Sequence, residues 1–427
     1  MTILFFFLLF VNILSVPALA DLTDDQVAIV KQRLAESANA SWELGVEAQA
    51  FLELDSPKYS VTTSGAKLPP SSANPPSSLN EVFAIARNVI SERGAISNNP
   101  QPFIQDVSSG DPPSVGVAVI LANLTNQQSS DGQNYRQAIL NQFNYLYTVP
   151  RTDDGAISHR SDELQLWSDS VYMVPPFLAY YGVMTKNKSA VAESYNQIRL
   201  YRQYLRDQNA SSLWKHMAFG TNQDTGHWST GNGWAAAGMI RVLGTIKNSQ
   251  YASSFKNEQK DLINWVLEIH DGMYQYLRST NCFGNYANDN SSFDDAASAT
   301  LLASTAYRLS TLAGKHNYVH LAERTRIALT AVSTLGGGPA NGSFAAMVHF
   351  DADGWLLPVV NPLAVGELGS QSPEAQAFVL MMQASYEDWA RAGYKGINRG
   401  TRSGTSPSLS LAVSFSAGVA LVLVLFF

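Results

Sequence analysis

Two stretches of this 427-residue chain gather the side chains that could carry chemistry. The first, His159 to Phe177, places Trp167, Asp169, Tyr172, Met173 and Pro176 at the start of an otherwise apolar segment. Asp169 falls near the first turn of the helix this segment predicts, where the helix dipole favours its anion. Tryptophan and methionine neighbours act the other way: they desolvate the carboxyl and raise its pKa, which suits a general acid. Asp is also a common helix cap, so local sequence leaves acid and cap side by side.

The second stretch runs from His216 to Trp234. Glycines around Asn232 let the backbone approach a ligand closely before a helix opens. Trp228 and Trp234 offer flat faces to the C–H faces of a sugar ring, and would serve equally as core residues. His216 and His227 are zinc-ligand types, but no H-E-x-x-H and no cysteine pair accompanies them, so no metal is expected. Gly231-Asn232-Gly233 lacks the preceding strand and further glycines of a nucleotide loop. No G-x-S-x-G elbow marks a serine hydrolase.

Positioning these residues falls to helices. Apolar residues recur at helical spacing over 23–38, 42–54, 79–93, 113–124, 133–148, 164–183, 189–207, 232–247, 252–270, 294–313, 315–333 and 373–393. Thr23, Ser78 (with Glu81 behind it as a capping box) and Ser372-Pro373 read as helix starts. Strand-like alternation is confined to 345–350 and 356–360, and the Pro/Ser-rich stretch 56–78 reads as a surface loop. A dozen helices without a repeat period argue against an open solenoid. The expected fold is all-α, a closed (α/α)6 toroid of six hairpins with loops around a cleft at one end.

The strings LWSDSVYMVPPFLAYYG (166–182) and HWSTGNGWAAAGMIRVL (227–243) resemble the unsaturated glucuronyl and rhamnogalacturonyl hydrolases of glycoside hydrolase families 88 and 105. Segments 293–299 and 372–378 look like further family positions. The resemblance implies the same toroid and no cofactor. It implies that Asp169 is the general acid and base, with Asp111 (five residues before Gly116) as a second carboxylate. It also points to His159, Trp167, Met173, His216, Trp228, Asn232 and Trp234 as substrate-binding residues. The implied reaction hydrates the C4=C5 double bond of an unsaturated uronate in cell-wall or pectin-type breakdown. One departure stands out: Thr230 occupies the place of a family arginine before Gly-Asn-Gly-Trp, and threonine cannot pair bidentately with a carboxylate. Arg160 or Lys215 could supply charge instead.

Composition narrows the alternatives. Apolar residues make up 45% and charged residues 15%, and the net charge is -7 with no basic block. A large core is affordable and a nucleic-acid partner is not expected. Residues 1–20 read as a signal peptide ending Ala18-Leu19-Ala20. Residues 404–427 read as a removed glycolipid-anchor signal, with attachment at Ser403 or Gly404, leaving 21–400 as the toroid. The expected location is the outer face of the plasma membrane or the cell wall, with the lipid anchor the sole membrane contact; the sequence does not speak to oligomeric state. Asn39, Asn123, Asn187, Asn209, Asn290 and Asn341 begin N-glycosylation triplets. The lone Cys282 reads as a core thiol. A six-hairpin uronate lyase and a non-catalytic glycan-binding glycoprotein are the competing readings.

Overall fold

The computed structural model describes residues 21–70, 74–94, 98–332 and 343–397. The expected signal peptide, anchor signal, attachment site and Asn341 lie outside them. The described residues from Asp21 to Ile397 form one compact unit. Its helices are α1 (Asp24–Ser37), α2 (Ser41–Asp55), α3 (Asn80–Glu92), α4 (Gly116–Leu124), the one-turn α5 (Gln128–Asp131), α6 (Tyr135–Tyr145), α7 (Ser170–Thr185), α8 (Lys188–Leu205), α9 (Ser229–Lys247), α10 (Lys256–Tyr274), α11 (Ala296–Ala313), α12 (Val319–Leu329) and α13 (Pro373–Arg391).

Packing sorts them into two layers. Helices α2, α4, α7, α9, α11 and α13 touch in that order, and α13 returns to α2, closing a ring. Each ring helix carries an outer partner: α3 on α2, α3 and α6 on α4, α8 on α7, α10 on α9, α12 on α11 and α1 on α13. The ring helices are buried almost all round, as α9 illustrates with every residue from Ser229 to Ile246 buried. The outer helices bury one stripe only, such as Leu262, Val266, Ile269 and Met273 on α10. This is the (α/α)6 toroid.

Two prolines shape the crossing of α7 and α9. Pro175 and Pro176 sit inside α7 and remove the N–H groups that would bond Val171 and Tyr172. Arg241 of α9 takes over the Tyr172 carbonyl at 2.9 Å. Gly238 meets the other: a Cβ there would stand 2.1 Å from the Val171 carbonyl oxygen. Because the obstacle is backbone, Gly238→Ala should lose roughly 1–3 kcal/mol, toward the upper end. A urea midpoint that does not move at constant slope would mean the two helices can part at no cost.

Thr23 and Ser372 cap α1 and α13 as expected. Ser78 does not cap α3. It lies inside a 3-10 turn, Ser77–Leu79, and its hydroxyl bonds Ser56 at 2.6 Å. The expected strand over 345–350 is instead a run of turns touched by single bridges, Val332 to Met347 and Phe350 to Leu356. The second expected strand, 356–360, forms in its last part: Val359–Asn361 pairs with Ala364–Gly369 as a hairpin. The Pro/Ser-rich loop is partly internal: Asn248 of the α9 end bonds the carbonyls of Val61 and Thr63, and Ser60, Val61 and Thr62 are buried. Cys282 is buried and unpaired, and burial pushes its thiol up to about 12.

Candidate active site

The starts of the ring helices meet at one end of the toroid. Ser114, before α4, donates to the Ser41 carbonyl at the start of α2. Gly231 of α9 packs on Ser168, before α7, where a Cβ would lie 2.3 Å from the hydroxyl. Thr230 of α9 donates to Asp295, the cap of α11, at 2.7 Å. The positive ends of the helix dipoles therefore converge there. A two-stranded clip, Leu166–Trp167 against Met217–Ala218, ties the two motif stretches together at this end.

Asp169 is the residue before α7, and its side chain makes no capping bond. Its side chain is 13% exposed, and Oδ1 is enclosed without a partner. Of the two roles the sequence allows, the geometry leaves the carboxyl unspent by capping. Burial raises its pKa to about 6, opposed by nearby His216. Asp111 stands before the 3-10 turn Pro112–Val115 that leads into α4. Burial first, and then the charge of Asp169, hold its carboxyl well above the ordinary range.

His159 lies between the two acids, with Nδ1 3.8 Å from Asp169 and Nε2 3.8 Å from Asp111. Its ring stacks on Trp167 at 4.3 Å. The Ser170 and Ser108 hydroxyls reach Nδ1 and Nε2 at 2.6 and 3.3 Å. Gly110 permits this placement, because a Cβ there would stand 2.6 Å from Nδ1. Burial drives the imidazole down to about 3, so it is neutral at physiological pH. Two buried acids separated by a neutral imidazole can hold and pass a proton in a site with little water.

His216 sits across the clip, its ring 5.4 Å from Trp167 and 4.7 Å from Trp228. Nδ1 faces Asp224 at 2.9 Å, and the Tyr286 hydroxyl donates to the same carboxylate oxygen at 2.8 Å. Burial alone would favour neutral Asp224, but bonds from His216, the Gly226 N–H and Tyr286 outweigh it and hold the carboxyl at about 2.

Three expected binding residues turn inward. Asn232 is fully buried: Oδ1 accepts from the Trp214 N–H at 2.9 Å, and Nδ2 donates to the carbonyls of Trp214 and Trp228 at 3.0 and 2.9 Å. Its amide braces the loop against α9 and has nothing left to offer a ligand. Trp234 packs between Tyr172 and Phe378, and Met173 is 2% exposed within the ring core. His227 pairs with Asn288 at 3.0 Å. Arg160 is engaged in a fork with Asp162, both contacts at 3.1 Å.

Sequence reasoning assigned no role to Asp224, Tyr286 or Glu374. Glu374, in the first turn of α13, is 2% exposed with Oε1 unpartnered. Burial, followed by the charges of Glu43, Asp295 and Asp169, raises it to about 8. A folded pKa above the unfolded 4.5 contributes stability below pH 4.5 that is lost as pH rises to about 8. Glu374→Gln should therefore gain on the wild type across that window, by a few kcal/mol at most; equal melting shifts at pH 5 and pH 8 would contradict this. Among the described residues, no group of three or more His, Cys, Asp or Glu is arranged to hold a metal ion.

An (α/α)6 toroid with a buried acid pair at the helix starts is a glycosidase-type architecture. The Glycosyl Hydrolase Family 88 profile matches residues 75–332, more than half of the chain, and the chain belongs to that family. It is similar to an unsaturated 3S-rhamnoglycuronyl hydrolase of Formosa agariphila, 27% identical over 126 residues. That match covers 26% of this chain and about a third (32%) of the relative. Among solved structures, a possible member of family GH105 from Klebsiella pneumoniae superposes with TM-score 0.61 at 15% identity, over 84% of this chain and 91% of that one. An unsaturated glucuronyl hydrolase from Bacillus sp. GL1 gives 0.53 at 12% identity, over 84% and 94%. At these identities the structures speak to the fold alone.

Proposed function

We propose that the protein hydrolyses oligosaccharides ending in an unsaturated uronyl residue, by hydrating the C4=C5 double bond. The observation that carries this reading is Asp169, a buried carboxyl free of any capping bond and raised to about 6. Family membership and the Formosa relative support the substrate class.

In the proposed sequence, protonated Asp169 gives its proton to C4, and the π electrons form the new C4–H bond. The resulting C5 cation, stabilised by the ring oxygen, takes up water, whose surplus proton returns to the Asp169 carboxylate. The C5 hemiketal then opens by breaking the C5–O5 bond, and the C1 hemiacetal expels the neighbouring sugar. Asp111 and His159 hold the water and the acid in register. Proton NMR of the products tests this. The vinylic H4 signal must disappear as the neighbouring sugar is released; a fragment that keeps that signal would mean ordinary glycoside cleavage.

We infer further that the substrate derives from a pectin-type wall polysaccharide, and that the chain is exported, cut before Asp21 and lipid-anchored at Ser403 or Gly404. The acceptors Asn39, Asn209 and Asn290 are exposed, which supports passage through the secretory route. Release from intact cells by a phosphatidylinositol-specific phospholipase is the expected result. Retention of the protein inside cells would contradict it.

A further inference from the structure

A cavity of about 570 Å³ opens at the last turns of α4 and α7, the opposite ends of those helices from the acid pair. Its size is that of a small-molecule site. Tyr181 and Met184 of α7 and Leu140 of α6 line it with apolar groups, and Gln128 and Arg136 add hydrogen-bond donors. The Tyr181 ring is fixed by stacking on Phe143 at 4.2 Å. Leu140 is 41% exposed, an apolar side chain left uncovered beside that ring. Aromatic and aliphatic walls with amide and guanidinium donors suit a sugar, whose C–H faces and hydroxyls they match.

Asn123 belongs to the same lining, and it begins the acceptor triplet Asn123-Leu124-Thr125. The partner of its Nδ2 is the Met184 sulfur at 3.9 Å, a weak acceptor, so the amide is not committed to the fold. Thr125 differs: it is buried, and its hydroxyl donates to the Leu121 carbonyl at 2.8 Å. An enzyme that reads the whole triplet must therefore act before α4 closes on that hydroxyl. In that step Nδ2 gains a bond to C1 of the sugar, and its lost proton leaves with the lipid pyrophosphate carrier. The ring then has to fold with the sugar in place. Asn39, Asn209 and Asn290 pose no such problem, because they are exposed.

Resting on the export reading, and independent of the hydrolase chemistry, we propose that the inner sugars of an N-linked glycan on Asn123 occupy this cavity. They lie against Tyr181 and Met184, cover Leu140 and take hydrogen bonds from Gln128 and Arg136. The glycan is then a packed part of the fold that joins α4, α6 and α7, whereas sugars on the exposed acceptors extend into solvent.

The test takes the full chain, expressed through a eukaryotic secretory route, and digests it with a peptide-N-glycosidase before and after denaturation. Mass spectrometry follows each acceptor peptide through its conversion from asparagine to aspartate. Release at Asn123 should be at least about tenfold slower from the native protein than from the denatured one, because the sugar must first leave its seat. Those of Asn39, Asn209 and Asn290 that carry sugar should release at similar rates in both states. Arg136→Ala combined with Leu140→Ala, at two exposed positions, should bring Asn123 toward the rate of the exposed sites. Native release at Asn123 as fast as elsewhere would overturn the proposal. So would protection unchanged in the double variant, since crowding at the helix end would then be the shield. A bare Asn123 beside modified exposed acceptors would overturn the seat and leave export standing. Four bare sites in a protein retained inside cells would overturn both.

Discussion

Asp169→Asn is expected to lower kcat by about three orders of magnitude, within the range a single general acid supplies. Asparagine has nearly the same shape and cannot deliver the proton. The native side chain makes no capping bond, so the fold has little to lose with it. Melting temperature should therefore hold, or rise slightly, because a buried unpaired carboxyl has been removed. The same residue sets the pH dependence. Activity needs the protonated form, and the carboxyl titrates at about 6, so kcat/KM should be level below that pH and fall as pH rises through it. At two units above, on the order of 1% of the acid remains protonated, and the rate should be down roughly a hundredfold. His159, held neutral down to about 3, adds no second limb in this range. A profile that stays flat from pH 5 to pH 8, or a variant that retains a tenth of the rate, would remove Asp169 from the acid's place.

The largest expected effect on stability comes from the middle of the ring. Arg308 of α11 is 2% exposed, and its Nε and Nη2 donate to Glu53 of α2 at 3.0 and 2.7 Å. Its Nη1 donates to Asp388 of α13. The guanidinium thus stitches three ring helices around the seam where α13 returns to α2. Arg308→Met should cost about 3–5 kcal/mol, because it strands the Glu53 carboxylate, itself 2% exposed, without a counter-charge, leaving it the Gln49 amide at 2.8 Å. Adding Glu53→Gln should recover part of the loss, since the penalty lies in the orphaned charge more than in the missing attraction. A loss under about 1 kcal/mol by denaturant titration would show that water or another cation reaches Glu53.

The helical architecture was legible because period and burial agree in the outer layer. A helix such as α10 advertises its single apolar stripe at every turn. Ring helices carry apolar residues on all faces, so their sequences give length but not orientation. Closure of the ring therefore rested on the count of helices and the absence of a repeat. Asp169 stood out because tryptophan and methionine crowd an acidic residue, a conflict that folding has to resolve in some way.

Asn232 and Trp234 misled for a physical reason. Glycine, amide and indole together suit both a ligand loop and a tight helix start. What separates the two is whether the amide is already bonded, and its partner Trp214 lies 18 residues away in the chain. The same distance problem hid the clamp on His216, since Tyr286 is 62 residues from Asp224. Thr230 and Asp295, 65 residues apart, form a buried pair that neither local sequence announces.

The central claim is addition of water across a double bond by Asp169, and ultraviolet absorbance of the conjugated uronate reads it directly. The mature protein would be mixed, separately, with lyase-generated unsaturated oligosaccharides and with the intact uronate polymer. The account predicts falling absorbance on the oligosaccharides, lost in Asp169→Asn, and no change on the polymer. Rising absorbance on the polymer would make the protein a lyase and contradict the mechanism, while leaving the toroid in place.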